Sequence, residues 1–137
     1  METEPRRHGR DSPTLVVAGA VCQGGKVLIQ QRPAGKPGAG SWEFPGGKIE
    51  TGERPEEALV RELLEELNVE AQVGAWLATG LDENIQLDCY NVALVGEPVA
   101  LEHAMLAWVE STELERLPMP PADSQIVTAL ISPKARD

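Results

Sequence analysis

From Pro55 to Asn68 the chain has no proline after its first position and repeats apolar residues at helical spacing, a pattern a strand cannot collect on one face. At about 100° per residue, Leu59, Val60, Leu63, Leu64 and Leu67 fall on one side. Glu62, Glu65 and Glu66 fall on the other, within an arc of about 100°. Thr51, Glu53 and Pro55 mark the start, because a proline in the first turn gives up an N–H that has no partner there. Asn68 marks the end, since asparagine accepts the left-handed conformation of a helix terminus. A helix with one wide apolar stripe must lie against another layer.

The flanking sequence supplies that layer. Thr14 to Cys22 and Lys26 to Gln31 read as a hairpin around Gln23-Gly24-Gly25. A Pro/Gly loop, Arg32 to Gly40, leads to a short strand at Trp42-Glu43-Phe44, before Pro45-Gly46-Gly47. Beyond the helix, Gln72 to Thr79, Ile85 to Val95 and Leu106 to Glu110 read as strands; Ser111 caps a short helix, Pro118 to Pro121 is a rigid connector, and a last helix runs from about Ala122 to Ile131. Strands and helices interleave with no repeat and no composition break. The expected fold is therefore a single α/β domain over residues 14–137, a mixed sheet covered by helices on both faces. Residues 1–13 form a polar N-terminal tail; its Arg6, Arg7, His8 and Arg10 read as a frayed, solvated terminus, the other reading being a basic arm for phosphate.

Charge narrows the partners. A net charge of -10 argues against a grip on polymeric nucleic acid, which needs a clustered excess of Lys and Arg. It does not exclude a phosphorylated small molecule, provided divalent cations stand between carboxylates and phosphates. Cys22 and Cys89 form no ligand spacing and read as buried thiols. No apolar run reaches the ~20 residues of a membrane span, and the polar N-terminus lacks the apolar region of a secretory signal, so a cytoplasmic protein without membrane contact is expected.

The acids of the central helix have two readings. One is the solvated face of an amphipathic helix. Against it, such a face pairs Glu with Lys or Arg four residues on, whereas the row Ala58, Glu62, Glu66, Glu70 holds three acids and no base; only Glu65 has a helical partner, Arg61. Like charges at that spacing cost roughly 0.2–0.5 kcal/mol each. A hard divalent cation such as Mg²⁺ would neutralise them and share phosphate oxygens and water in its shell. Gly46-Gly47, just upstream, reads either as a plain turn or as backbone free to approach a ligand.

The run GKIETGERPEEALVRELLEELNV, Gly47 to Val69, resembles the Nudix box at Gly47, Glu53, Arg61, Glu62, Leu63, Glu65, Glu66 and Val69, with Asn68 standing where the family has glycine. The chain as a whole looks most like the MutT-like branch, which includes 8-oxo-dGTP diphosphatases and CTP pyrophosphohydrolases. The resemblance implies a Nudix fold, an α/β/α sandwich with a central mixed sheet. It also implies Mg²⁺-dependent hydrolysis of a nucleoside triphosphate, oxidised or CTP-type, to monophosphate and pyrophosphate, with Mn²⁺ as a possible substitute.

By the same resemblance Gly46, Glu62, Glu65 and Glu66 bind metal, with Glu102 as a further ligand unless it is a plain loop acid. Glu62 and then Glu66 are the candidates for general base, and Glu53 orients Arg61. Arg32 and Lys48 would contact phosphate, or else be surface cations. Asp123, in Pro121-Ala122-Asp123, would read the base or cap the last helix; Tyr90, Phe44 and Trp42 would stack on the base or belong to the core. The partner is then a small nucleotide and the protein a monomer or homodimer. An ADP-ribose or dinucleoside polyphosphate hydrolase shares this chemistry, and a box-bearing module that senses a nucleotide without cutting it would belong to another class.

Overall fold

The computed structural model describes residues 12–101 and 105–131. Two strands open it, β1 (Thr14–Gln23) and β2 (Lys26–Gln31), followed by the short β3 (Trp42–Glu43) and β4 (Gly46–Lys48) and by helix α1 (Pro55–Leu67). Then come β5 (Glu70–Asp82), β6 (Ile85–Val95), β7 (Met105–Glu110), a 3₁₀ turn (Ser111–Arg116) and helix α2 (Pro121–Ile131). Residues 1–11 of the predicted tail, and Glu102, lie outside the described part.

The sheet runs β3-β2-β1-β6-β5, with β4 added beside β1 and β7 beside β2. It is mixed, as expected: β1 and β6 are parallel and the other pairs antiparallel. The hairpin turn between β1 and β2 places Gly24 and Gly25 at φ 57° and 80°, the left-handed pair that matches strand twist and that side chains resist.

One feature of pairing shapes the molecule. β1 bonds β2 only at its far end, Cys22↔Val27 and Gln23↔Lys26, while Val16, Val17 and Ala18 pair with β4. The two strands of the hairpin therefore part, and a cleft opens between them. β4 corrects the sequence reading of Gly46-Gly47 as a plain turn, because these residues are a paired strand. Glycine is required there: a Cβ on Gly46 would lie 2.0 Å from the Val17 carbonyl oxygen.

Each face of the sheet carries a helix. α1 sets Ala58, Leu59, Leu63 and Leu67 on Val17, Val21, Leu28 and Val92. α2 sets Ile126, Val127 and Leu130 on the other face, over Ala18, Ala20, Ile29, Leu87 and Cys89. This is the α/β/α sandwich. The apolar stripe of α1 is narrower than expected: Val60 and Leu64 stay 37% and 54% exposed, because the sheet touches only the row at Leu59, Leu63 and Leu67 and its neighbour Ala58.

The ends of α1 follow the sequence closely. Pro55 opens it, and Glu57 Oε1 accepts the Arg54 N–H at 2.9 Å. Asn68 ends it at φ 52°, ψ 43°, donating its N–H to the Leu64 carbonyl. Two further end carbonyls, those of Leu67 and Glu66, accept from Val99 and Leu101, so the chain leaving β6 drapes over this terminus. Ser111 is not a cap, since Glu110 holds that position with no side-chain bond and Ser111 is already in the turn.

At the outer edge, α2 is locked to β5. The Gln125 amide donates to the Leu81 carbonyl at 2.7 Å and accepts the Leu81 N–H at 2.9 Å, standing in for a neighbouring strand. Beside it, a Cβ on Gly80 would lie 2.0 Å from the Ala122 carbonyl oxygen, so helix and strand touch backbone to backbone.

Leu63 is fully buried at the centre of the α1 contact. Leu63→Ala is expected to cost about 2–5 kcal/mol in urea denaturation, whereas Leu64→Ala, on the exposed side, should cost less than about 0.5 kcal/mol. Equal losses would refute the placement of α1.

Candidate active site

The parting of β1 from β2 leaves a cleft of about 860 Å³, a size suited to a nucleotide. One end is acidic. Glu62 and Glu66 reach it from α1, with Glu50, beside Gly46, Gly47 and Lys48 of β4. The other end holds Asp123 and Ala122 from α2, Phe44, Glu43, and the cations Arg32 and Lys36.

Of the residues singled out from sequence, the fold gathers Glu62, Glu66, Gly46, Lys48, Arg32 and Asp123 around this cleft. Glu53, Arg61 and Glu65 stand behind it. Tyr90 does not reach it, since its strand position turns it toward the α1 side, among the residues packed on Val17 and Leu63. Phe44 is buried in the α2-side core while lining the cleft, and Trp42 packs against that same core.

Arg61 organises the acidic end. Its guanidinium donates to both oxygens of Glu53, at 2.6 Å from Nε and 3.0 Å from Nη2. The bond from Arg61 holds the Glu53 carboxyl below the usual carboxylate range. Nη2 also donates to the Lys48 carbonyl at 3.1 Å, and Nη1 reaches Glu62 at 3.1 Å and Glu65 at 3.2 Å. The helix stripe is therefore not without a base, as its spacing suggested: Arg61 serves Glu62 as well as Glu65. Spacing missed this because neighbours in sequence do not face each other on a helix. The Glu53 fork turns the long side chain sideways.

A divalent cation suits the donors at this end. The Glu62 carboxylate lies directly over the β4 backbone, so that a Cβ on Gly47 would sit 2.2–2.5 Å from its carboxyl atoms. Carboxylate oxygens thus lie against the β4 backbone, and hard oxygen donors are the set that Mg²⁺, Mn²⁺ or Ca²⁺ prefers. Among the described residues no three acidic, histidine or cysteine side chains already converge as a closed metal cage. Glu65 is more exposed, at 57%, and turned to Arg61.

Sequence reasoning missed Glu43, Lys36 and Glu50. The signal for Glu43 was present: an acid between Trp42 and Phe44 in a short strand requires a cation, and Arg32 Nε meets Glu43 Oε1 at 3.2 Å. Arg32 in turn donates to the Pro37 carbonyl, and its backbone bonds Ser41 and Gly40, so the Arg32–Ser41 loop is folded around it.

Asp123 is 7% exposed, in the first turn of α2. It is not the cap residue of that helix. Its Oδ2 accepts the Phe44 N–H at 3.1 Å, tying α2 to the strand side of the cleft. Burial pushes its carboxyl up to about 7, with Glu43 adding to the rise, while the Phe44 N–H and Arg32 oppose it. An unfolded aspartate ionises near pH 4, so between there and about 7 the folded state holds the extra proton and stability falls as pH rises. Asp123→Asn removes that titration and is expected to gain stability over the parent at pH 8 relative to pH 5. Thermal melts of both proteins at the two pH values check this, and an equal difference at both would refute it.

Comparison with known proteins agrees with this geometry. The NUDIX domain model matches residues 13–130. The chain is 41% identical over 125 residues to the CTP pyrophosphohydrolase of Escherichia coli K12, covering 88% of this chain and 93% of that one. It is 32% identical over 134 residues to the 8-oxo-dGTP diphosphatase of Haemophilus influenzae, covering 89% and 95%. Among solved structures, the E. coli ORF135 protein superposes with a TM-score of 0.82 at 38% identity, covering 93% of this chain and 95% of that one. With a family model over most of its length and relatives above 30% identity, the chain belongs to the Nudix family.

Proposed function

We propose that this protein is a Mg²⁺-dependent pyrophosphohydrolase that converts a nucleoside triphosphate, oxidised or CTP-type, to the monophosphate and pyrophosphate. The observation that carries this reading is the polarity of the cleft: Glu62 and Glu66 at one end, Asp123 at the other, and Arg32, Lys36 and Lys48 on its walls. A triphosphate has the matching polarity, with its phosphates toward the metal and Lys48 and its base toward Asp123. The E. coli and H. influenzae relatives named above act on such nucleotides by name. Mn²⁺ is expected to replace Mg²⁺, and the cytoplasm, where the substrate is made, is the expected location.

The balanced reaction adds water across one anhydride bond. Water oxygen joins the β-phosphorus, the bond from that phosphorus to the α,β-bridging oxygen breaks, and the monophosphate leaves with the bridging oxygen. Glu62, with Glu66 as second choice, takes the proton from the attacking water. Glu62, Glu66 and the Gly46 carbonyl would hold the cation, with Glu65 as a further ligand. A bound cation would neutralise charge at the phosphate oxygens and acidify water. Glu53 fixes Arg61, which keeps Glu62 aimed at β4. Lys48 neutralises phosphate oxygens, whereas Arg32, the other candidate for that role, is held by Glu43 at the Asp123 end.

Incubation with a nucleotide panel and Mg²⁺ tests the reading. Pyrophosphate with monophosphate is expected; chelation should abolish turnover and Mg²⁺ restore it. Orthophosphate alone would move attack to another phosphorus, preference for ADP-ribose or a dinucleoside polyphosphate would change the substrate, and no turnover of any nucleotide would leave a sensing module. Glu62→Gln should lower kcat by about 10²–10⁴-fold. Full activity in that variant and in Glu66→Gln would remove both from the role of base.

A further inference from the structure

β2 carries a polar side chain where the core would take an apolar one. Gln30 is 1% exposed, as enclosed as Leu28 and Ile29 before it. Its Oε1 is buried and meets no hydrogen-bond partner among the described residues. An acceptor shut away from bulk water without a donor is costly, and such an atom marks the place of an ordered water or an ion's shell. A methionine or leucine would fill the same volume without that cost, so packing does not account for the amide.

Strand geometry says where the amide faces. Side chains alternate along a strand, and Leu28, two residues back, belongs to the core under α1 with Leu59, Leu63 and Leu67. Arg32, two residues on, lines the cleft, and so does Glu43, the cross-strand partner of Gln30. Gln30 therefore stands at the seam where the α1 core becomes cleft wall, beyond Val27, where β1 has left β2 for β4. From α1 the same seam carries Glu62 and Glu66, which line the cleft beside the fully buried Leu63 and Leu67; Glu66 Oε1 is itself buried. The chain ties the two sides together, since Leu101 bonds the Glu66 carbonyl and Leu106 pairs with Gln30.

We propose that Gln30 is a positioning residue of the cation site: its Oε1 accepts a hydrogen bond from a water of the cation's shell, and so fixes the cation against Glu62 and Glu66. Mg²⁺ keeps several of its waters when protein binds it. Each is a strong donor, and a neutral amide oxygen can hold one without adding charge to a wall that is already acidic. The inference rests on the cation reading above and adds to it a contact from β2, the strand that supplies no carboxylate.

Mn²⁺ binding to the whole protein without nucleotide, read by electron paramagnetic resonance, tests this apart from turnover. Gln30→Met keeps the volume and removes the acceptor. It is expected to weaken Mn²⁺ binding about tenfold or more, while the metal-free protein melts no lower than the parent because the orphaned oxygen is gone. Gln30→Glu keeps an acceptor in place and should recover most of that loss. In the parent, the side-chain amide signals of Gln30 should broaden as Mn²⁺ is added.

An unchanged Mn²⁺ affinity in Gln30→Met overturns the inference. So does an affinity that falls only in step with the melting temperature of the metal-free protein, which is what a purely structural role would give, and so do Gln30 amide signals that Mn²⁺ leaves sharp. If the parent takes up no Mn²⁺, the cation reading and this inference fall together. If it binds Mn²⁺ and hydrolyses no nucleotide, the proposed function falls while the Gln30 comparison still decides.

Discussion

The fork between Arg61 and Glu53 holds the acidic end together. One guanidinium joins the helix that carries the acids, the turn before that helix, and the β4 backbone through the Lys48 carbonyl. It is a charge-assisted, two-bond contact, the kind whose geometry is fixed as well as strong. Because Arg61 is 22% exposed and Glu53 19%, the pair is shielded enough for that geometry to persist without a large desolvation cost. Glu62 inherits its direction from this fork, and the cleft inherits its acidic wall from Glu62.

The second determinant is the divided allegiance of β1. A strand bonded to β2 along its whole length would have closed the sheet and left no cleft. By giving Val16 to Ala18 to β4, the chain brings the glycine strand under α1 and separates it from the Arg32–Ser41 loop. The two ends of the cleft thus belong to different layers: acids from one helix, Asp123 from the other, cations and glycines from the sheet between them.

Much of this was legible in the residues. The helix Pro55–Leu67 and its end at Asn68 follow from short-range rules, and so does the glycine turn after β1. The α/β/α layering follows from elements that alternate. What spacing could not show was long-range. Gly46-Gly47 left a plain turn open beside a close backbone approach because nothing local says that β1 would pair with it; Tyr90 read as a stacking candidate because its face is decided only when α1 covers that side of β6. The apolar width of α1 was overstated for the same reason, since periodicity gives a stripe and only the partner sheet says how much of it is covered. Glu43 was missed because its meaning lies in Arg32, eleven positions earlier and across a strand pair.

The contact of α2 with β5 fixes where Asp123 stands in the cleft. Gln125 closes the sheet edge at Leu81, and Ala122 rests on the backbone of Gly80, with Asp123 between these two anchors. The helix is thereby held in both rotation and axial position. Asp123 cannot be re-aimed by sliding or turning its helix without opening the sheet edge and lifting backbone off backbone. If Asp123 reads the base as proposed, discrimination between bases is left to the identity of the side chain at 123. The same amide that stops the sheet from growing makes the Asp123 end of the cleft mechanically fixed.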